Sequence, residues 1–293
     1  MNKVYISAAI SIVMWGCSSN DIPESSNSNQ VTFEVTMPTQ SRATASAFEE
    51  GDKIGVFMTQ YEGSVQTPLQ VSGNYANNFS STLTGNKWVN SPNVLWEDGK
   101  YDFYAYYPFG KIASVDNLQF TVKTDQSTPA TNGELGGFEA SDFMWARNLG
   151  VVRSTSAVQL SFRHILSRAV INLVKSDDYE GDLPQQAEVY IHNTIPTALI
   201  DLASGSVEKN GRVSATTIKA MKTGDYSYSA VIVPQRLDNR RPLVEVVADG
   251  VSFLVESTFV FKQGMSHTIN VVLANNPNQI KIEIGGEIVD WNK

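Results

Sequence analysis

Apolar and polar residues alternate with a period of two along much of this chain. Val31, Phe33, Val35 and Met37 are separated by Thr32, Glu34 and Thr36, the pattern of a strand with one buried face. Pro38 ends it, and a polar stretch carrying Arg42 follows. From Phe48 onward, short β-prone runs recur between Gly, Asn, Pro and Asp, at residues 54–58, 101–107, 118–122 and 143–146. In the second half Val158, Leu160 and Phe162 alternate, then Ile171 and Leu173, then residues 226–233 up to Pro234, then 259–261 and 267–273. No long segment has helical period. Strands at short spacing with turn signals between them predict an all-β sandwich or barrel.

Two hairpins are written more explicitly. Asp249-Gly250 is a favoured two-residue turn, because both central positions need positive φ. It predicts pairing of Ala248 with Val251, Val246 with Phe253 and Val244 with Val255 on one face, and of Val247 with Ser252 and Glu245 with Leu254 on the other. Gly285-Gly286 predicts a second hairpin over residues 279–291, pairing Ile284 with Glu287, Ile282 with Val289 and Ile280 with Trp291, with Lys281 facing Asp290. A two-stranded hairpin is marginal in water, so this one must dock on a sheet of its own or of another molecule.

The N-terminus changes the picture of where the protein resides. Lys3 precedes an apolar run from Val4 to Trp15, closed by Gly16 and the sole cysteine, Cys17. That order describes a secretory signal peptide, too short for the about 20 residues a spanning helix needs. A cysteine directly after the small residue is where bacterial lipoproteins are cut and acylated. Residues 1–16 are therefore expected to be a lipoprotein signal peptide, with Cys17 lipidated. Residues 17–30, rich in Ser and Asn, are expected to be a flexible tether. A polar stretch at 147–156 places a boundary between a unit over 31–152 and a second over 153–293.

Of 293 residues, 42% are hydrophobic and 18% charged, so a sizeable core is available. With 30 acidic and 22 basic residues the net charge is −8, which disfavours nucleic acid as a partner. Catalytic and metal chemistry find no constellation: His164, His192 and His267 are far apart and fit no zinc spacing, and no serine sits in G-x-S-x-G. The acidic run 177–182 lacks a full EF-hand loop, so no metal or cofactor is expected and no enzyme. Trp88, Trp96 and Trp145 offer possible stacking platforms for sugar rings, and the aromatic run 101–109 reads mainly as core.

Several segments together resemble the fimbrillin family of Bacteroidales, the subunits of type V pili. They are residues 48–57 (FEEGDKIGVF), 101–108 (YDFYAYYP), 160–168 (LSFRHILSR) and 230–235 (AVIVPQ), with the lipoprotein start and the closing Asp290-Trp291. The resemblance spans essentially the whole chain and rests on the order of the segments. It implies two tandem transthyretin-like Greek-key β-sandwich domains. It also implies export as an outer-membrane lipoprotein, anchored by its acyl chains, followed by cutting by an arginine-specific protease. Here the corresponding bond is Arg42-Ala43, with Arg147 and Arg153 as rivals for a trypsin-like enzyme. The removable segment is 31–42, whose strand residues are Val31, Phe33, Val35 and Met37. A C-terminal donor strand from a neighbouring fimbrial subunit then fills the groove, through Ile280, Ile282 and Ile284, or Val289 and Trp291. The expectation is a subunit of a cell-surface fimbria that supports adhesion. The alternative is a stand-alone glycan-binding lipoprotein using the three tryptophans.

Overall fold

A computed structural model of the chain describes residues 29–37, 48–131, 133–276, 281–283 and 288–292. Cys17, Arg42, Ala43, Ile280 and Ile284 lie outside the described residues, as do the side chains of residues 281–283 and 288. Among the described residues almost all regular structure is strand, with a single 3-10 turn at Glu139–Ser141. The first strands are β1 (Phe33–Thr36), β2 (Lys53–Gln60), β3 (Ala76–Thr84), β4 (Lys87–Ser91), β5 (Lys100–Tyr107), β6 (Leu118–Thr121), β7 (Met144–Val152), β8 (Val158–Ser161) and β9 (Arg163–His164). There follow β10 (Ser167–Lys175), β11 (Glu188–Thr194), β12 (Thr197–Asp201), β13 (Ser206–Lys209), β14 (Thr216–Lys219), β15 (Met221–Lys222) and β16 (Ser227–Ile232). The last are β17 (Gln235–Ala248), β18 (Val251–Phe261), β19 (Met265–Leu273), β20 (Lys281–Glu283) and β21 (Ile288–Asp290).

The first group of strands is a six-stranded sheet in the order β4-β3-β2-β5-β7-β9 and a separate pair, β1-β8. One face of the sheet packs with that pair into a core that includes Val31, Phe33, Val56, Met58, Phe103, Leu160 and Phe162. The other face, through Phe57, Tyr104, Tyr106 and Trp145, belongs to a larger core continuous with the second group of strands. Being covered on both faces explains why β5 is aromatic on both sides: Tyr101 through Tyr107 are all buried, including Asp102, whose carboxylate accepts the Gly150 N–H at 2.7 Å. Most of the aromatic run is thus core, as its sequence suggested; Phe109 remains 39% exposed.

The second group stacks a sheet ordered β15-β16-β10-β19-β20, with β21 also on β19, against a four-stranded sheet ordered β14-β11-β17-β18. β6, from the first half of the chain, joins β12 and β13. Beyond the polar stretch at 147–156, β9 pairs with β7, β8 pairs with β1, and Phe162 lies in the first core. Residues 153–157 are a turn between β7 and β8. The Asp249-Gly250 hairpin forms in the expected register, Ala248 to Val251 through Val244 to Val255. Both turn residues have positive φ, 50° and 78°, as the turn demands.

The C-terminal hairpin does not form. β20 and β21 both run antiparallel to β19 and not to one another: Ile282 pairs with Val271, Lys281 with Val272, Val289 with Ser266 and Asp290 with Met265. Between the pairs Asn270↔Glu283 and His267↔Ile288 the C-terminal segment advances further than β19 does. The expected turn at Gly285-Gly286 lies outside the described residues, and the described runs on either side of it both line the edge of β19.

Gly55 shows how tightly the first sheet is built. It lies opposite Tyr106 on β5, and a Cβ added there would sit 2.2 Å from Tyr106 Cε1. The ring cannot step aside cheaply. It stacks on Phe143 at 5.8 Å, and its hydroxyl bonds Asn78 Oδ1 at 2.8 Å and Gly110 O at 2.7 Å. Burial pushes its pKa up to about 12, so it stays a donor at all ordinary pH. Gly55→Ala should therefore destabilise the protein by about 1–3 kcal/mol through overpacking, read as a clear drop in thermal midpoint; an unchanged midpoint would show that Tyr106 has room to move.

Candidate functional site

β1 is a short parallel addition to β8. Phe33 pairs with Val158, Glu34 with Gln159, Val35 with Leu160 and Thr36 with Ser161. The ladder is extended at both ends, since Val158 N–H donates to Thr32 O at 2.8 Å and Phe162 N–H to Thr36 O at 2.9 Å. Upstream, Val31 N–H donates to Val94 O at 2.9 Å, Trp96 N–H to Asn29 O at 2.7 Å and Asn90 Nδ2 to Val31 O at 2.7 Å. Among the described residues β8 is the only strand that pairs with β1.

The four positions singled out in the first strand do point inward, but unequally. Val31 and Phe33 are buried, whereas Val35 and Met37 are half-buried at the rim of the same core. Phe33 is the deepest aromatic contact, stacked on Phe79 at 6.1 Å and edge-on to Phe103 at 5.9 Å. A cleft of about 330 Å³ runs beside the strand, between Val31–Phe33 and Trp88–Asn90. Burying a side chain the size of Val or Phe is worth about 1.5–3 kcal/mol. Loss of β1 would thus expose an apolar groove and a row of unpaired backbone groups together. The first described residue after the strand's exit, Phe48, is held independently by edge contacts to Trp88, Tyr107 and Phe162 at 5.1, 5.2 and 5.5 Å.

The chain's other end is held by the next few residues along. Trp291 is buried, and its ring lies parallel to His164 at 4.1 Å with an interplanar angle of 4°. Arg168 sits 5.4 Å from the same indole, and burial lowers the pKa of that guanidinium. Trp291 N–H donates to Gly264 O at 2.9 Å. Asn292 then clasps His164 by its backbone: the His164 N–H donates to Asn292 Oδ1 at 2.7 Å, and Asn292 Nδ2 donates to His164 O at 3.3 Å. On its far side His164 Nδ1 lies 2.9 Å from Asp142. Segment 158–164 therefore grips the first strand through β8 and the last tryptophan through His164. Sequence reasoning found both ends but not that they share one holder; the adjacency of Leu160, Phe162 and His164 was the available signal.

Other candidate residues are dispersed. Val289 is 37% exposed on β21, while Trp291 belongs to the packed junction. Trp96 and Trp145 are 1% and 4% exposed, and Trp145 Nε1 donates to Leu202 O at 2.7 Å. Trp88 is half-buried against Phe48. The three tryptophans therefore form no open sugar-stacking platform. His192 joins Glu245 and Thr217 at 2.9 and 2.8 Å, and His267 is buried, with its pKa lowered by desolvation; neither meets His164. Among the described residues no group of three or more His, Cys, Asp or Glu is placed to hold a metal, and no helix is long and apolar enough to cross a membrane.

Comparison with known proteins returns consistent neighbours. A family model described as fimbrillin-like matches residues 41–291. A candidate cell adhesion protein from Bacteroides ovatus superposes with a TM-score of 0.65 at 18% identity, covering 89% of this chain and 96% of that one. A candidate cell adhesion protein from Bacteroides uniformis gives 0.64 at 16% identity, covering 90% and 99%. A fimbrial protein from Bacteroides vulgatus gives 0.54 at 14% identity, covering 90% and 99%. These identities establish the shared fold. No curated protein matches the chain.

Truncating the clasp tests it directly. Trp291→Ala should cost about 3–5 kcal/mol if the ring is as well packed as its burial indicates. It should also leave the last residues more open to carboxypeptidase than they are in the parent protein. Equal digestion of both proteins would mean that Trp291 does not hold the terminus.

Proposed function

The chain belongs to the fimbrillin-like family, and from that premise we propose that it is a structural subunit of a surface fimbria that assembles by exchanging strands. In this reading the precursor is exported under its signal peptide, acylated at Cys17 and tethered to the outer membrane. An arginine-specific protease cuts at Arg42-Ala43. β1 leaves, and a C-terminal segment of a neighbouring subunit takes its seat. The strands then form two tandem transthyretin-like sandwiches, the first accepting and the second donating. Partners are other fimbrial subunits, and adhesion follows from the assembled surface.

The observation that carries the reading is the nature of β1. It is four residues long, pairs with one neighbour, and fills an aromatic groove at the start of the chain. Its exit does not break any connection within the six-stranded sheet. Phe48 anchors the chain just beyond the proposed cut, so the new N-terminus stays fastened. An incoming strand recovers the same ladder only if it runs parallel to β8, which fixes the donor's direction. This is strand addition to a sheet edge. Donor and acceptor are different surfaces, so the contact is heterologous and propagates.

On the donor side, β20 and β21 are three-residue runs at the edge of β19, and short interrupted pairing is easily peeled. Val289 and the Ile280–Ile284 stretch supply the apolar period, whereas Trp291 has to leave His164 before the last turn can be lent.

The experiment is limited trypsin treatment of the purified precursor, followed by native electrophoresis and electron microscopy. Cleavage at Arg42 should convert monomers into ladders and fibres. Arg42→Ala should leave an intact, monomeric chain under the same treatment, and deletion of residues 279–293 should allow cleavage but no fibres. Fibres of normal length from the deleted chain would refute donation by the C-terminal segment. A clipped chain that stays monomeric at high concentration would refute the assembly reading as a whole.

A further inference from the structure

The edge of a β-sheet presents unpaired N–H and C=O groups, and native proteins keep such edges short, charged, bulged or covered. Among the described residues the edge strands here obey that rule with one exception. β4 has five residues, β6 and β13 have four, and β9 and β15 have two. β14 has four, and its outer side is occupied: Lys219 N–H donates to Thr124 O at 2.7 Å and Gln126 N–H to Lys219 O at 3.0 Å. β18 has eleven residues and lies outside β17 with no described strand beyond it.

β18 also carries no extra residue in its ladder with β17. The register shifts between β17 and β18 place their extra residues in β17, around 237–241 and 242–244, so β18 keeps an unbroken alternation. Phe253, Val255, Phe259 and Phe261 face the core, while Leu254, Val260 and Val251 stand 43%, 40% and 38% exposed. Because the two-residue turn makes Ala248 and Val251 a hydrogen-bonded pair, the odd-numbered residues of β18 bond β17. The even-numbered ones aim their backbone groups at the open edge.

We propose that β18 pairs antiparallel with β18 of a second copy of this chain, about a two-fold axis at Ser257. That register is chosen by its side chains. It sets Leu254 opposite Val260 twice, Glu256 opposite Thr258, and Ser252 opposite Lys262. On the inner face Val255 meets Phe259 and Phe253 meets Phe261. Centring the pair on Glu256 instead would bring two carboxylates face to face, and centring it on Thr258 would set Leu254 against Lys262. Each Glu256 also keeps Arg240 within 3.9 Å, which tempers the diagonal approach of the two carboxylates. The contact is isologous and closes at two copies, joining two four-stranded sheets edge to edge. It uses neither β1 nor the C-terminal strand, so it stands apart from the assembly reading; within fibres it would tie neighbouring filaments side by side.

The test uses the full chain carrying Cys17→Ser and Ser257→Cys, oxidised mildly with copper phenanthroline. Facing residues of a non-hydrogen-bonded antiparallel pair lie about 4.5 Å apart between Cα atoms, inside the disulfide range of about 4.4–6.8 Å. Ser257→Cys should therefore dimerise covalently at least about tenfold faster than Ser64→Cys in an exposed turn, and than Ser252→Cys, which faces lysine in this register. Adding Leu254→Lys, an exposed change, should remove that advantage and return the light-scattering mass to that of a monomer. Equal rates at Ser257 and Ser64 would overturn the contact, as would a Ser257 rate indifferent to Leu254→Lys. Faster bonding at Ser252 would overturn the register.

Discussion

The ladder between β1 and β8 is the contact on which the first half of the molecule depends. Thr36 and Ser161 touch across a sequence separation of 125, and five of the six strands of the larger sheet, all but β9, lie between them. Parallel neighbours need a long crossover, and here the crossover is the sheet itself. The consequence is topological. β1 closes the core over Phe79 and Phe103 without being woven into it. A strand with those two properties is necessary for packing and yet separable from the chain's other connections.

The opposite end of the molecule obeys a related constraint. A C-terminal segment with apolar period had to find a sheet, and β19 offered the nearest open edge. Its last residues gain a second anchor, because Trp291 lies flat on His164 and Asn292 takes both backbone groups of that histidine. His164 follows Leu160 and Phe162 in one short run, and those two form part of the core under β1. Both ends of the described chain are therefore held by one segment, residues 158–164.

What the sequence disclosed, and what it did not, follows from how local each signal is. The β17–β18 hairpin was legible in full because Asp249-Gly250 fixes φ, loop length and register together. The all-β class was legible from period two. The hairpin expected over residues 279–291 was lost to β19, the strand just before it, whose edge takes both described runs; no pattern within 279–291 states that preference. Trp96 and Trp145 invited a sugar-binding role on residue type alone; burial in two different cores removes it. The polar stretch before Val158 marked a turn, but β8 beyond it returned to β1, a parallel pairing that no local pattern announces. Val35 and Met37 share the alternation of Val31 and Phe33, yet sit at the rim, because periodicity reports facing and not depth.

If the chain assembles as proposed, the energetics of exchange explain why a cut would have to come first. While β1 remains attached, its groove is filled by a tethered competitor, and a tethered strand acts at an effective concentration in the millimolar range. A neighbour's strand at ordinary protein concentrations cannot displace it by offering equivalent bonds. The donor is handicapped further, since lending β20 and β21 gives up their pairs with β19 and the Trp291 stack. On that proposal proteolysis would change the comparison, not the contacts: β1 would become a free peptide that dilutes away, and the unfilled groove, with its apolar walls and open β8 edge, would supply the driving force. Only then would a strand from another subunit prevail on the bonds it adds.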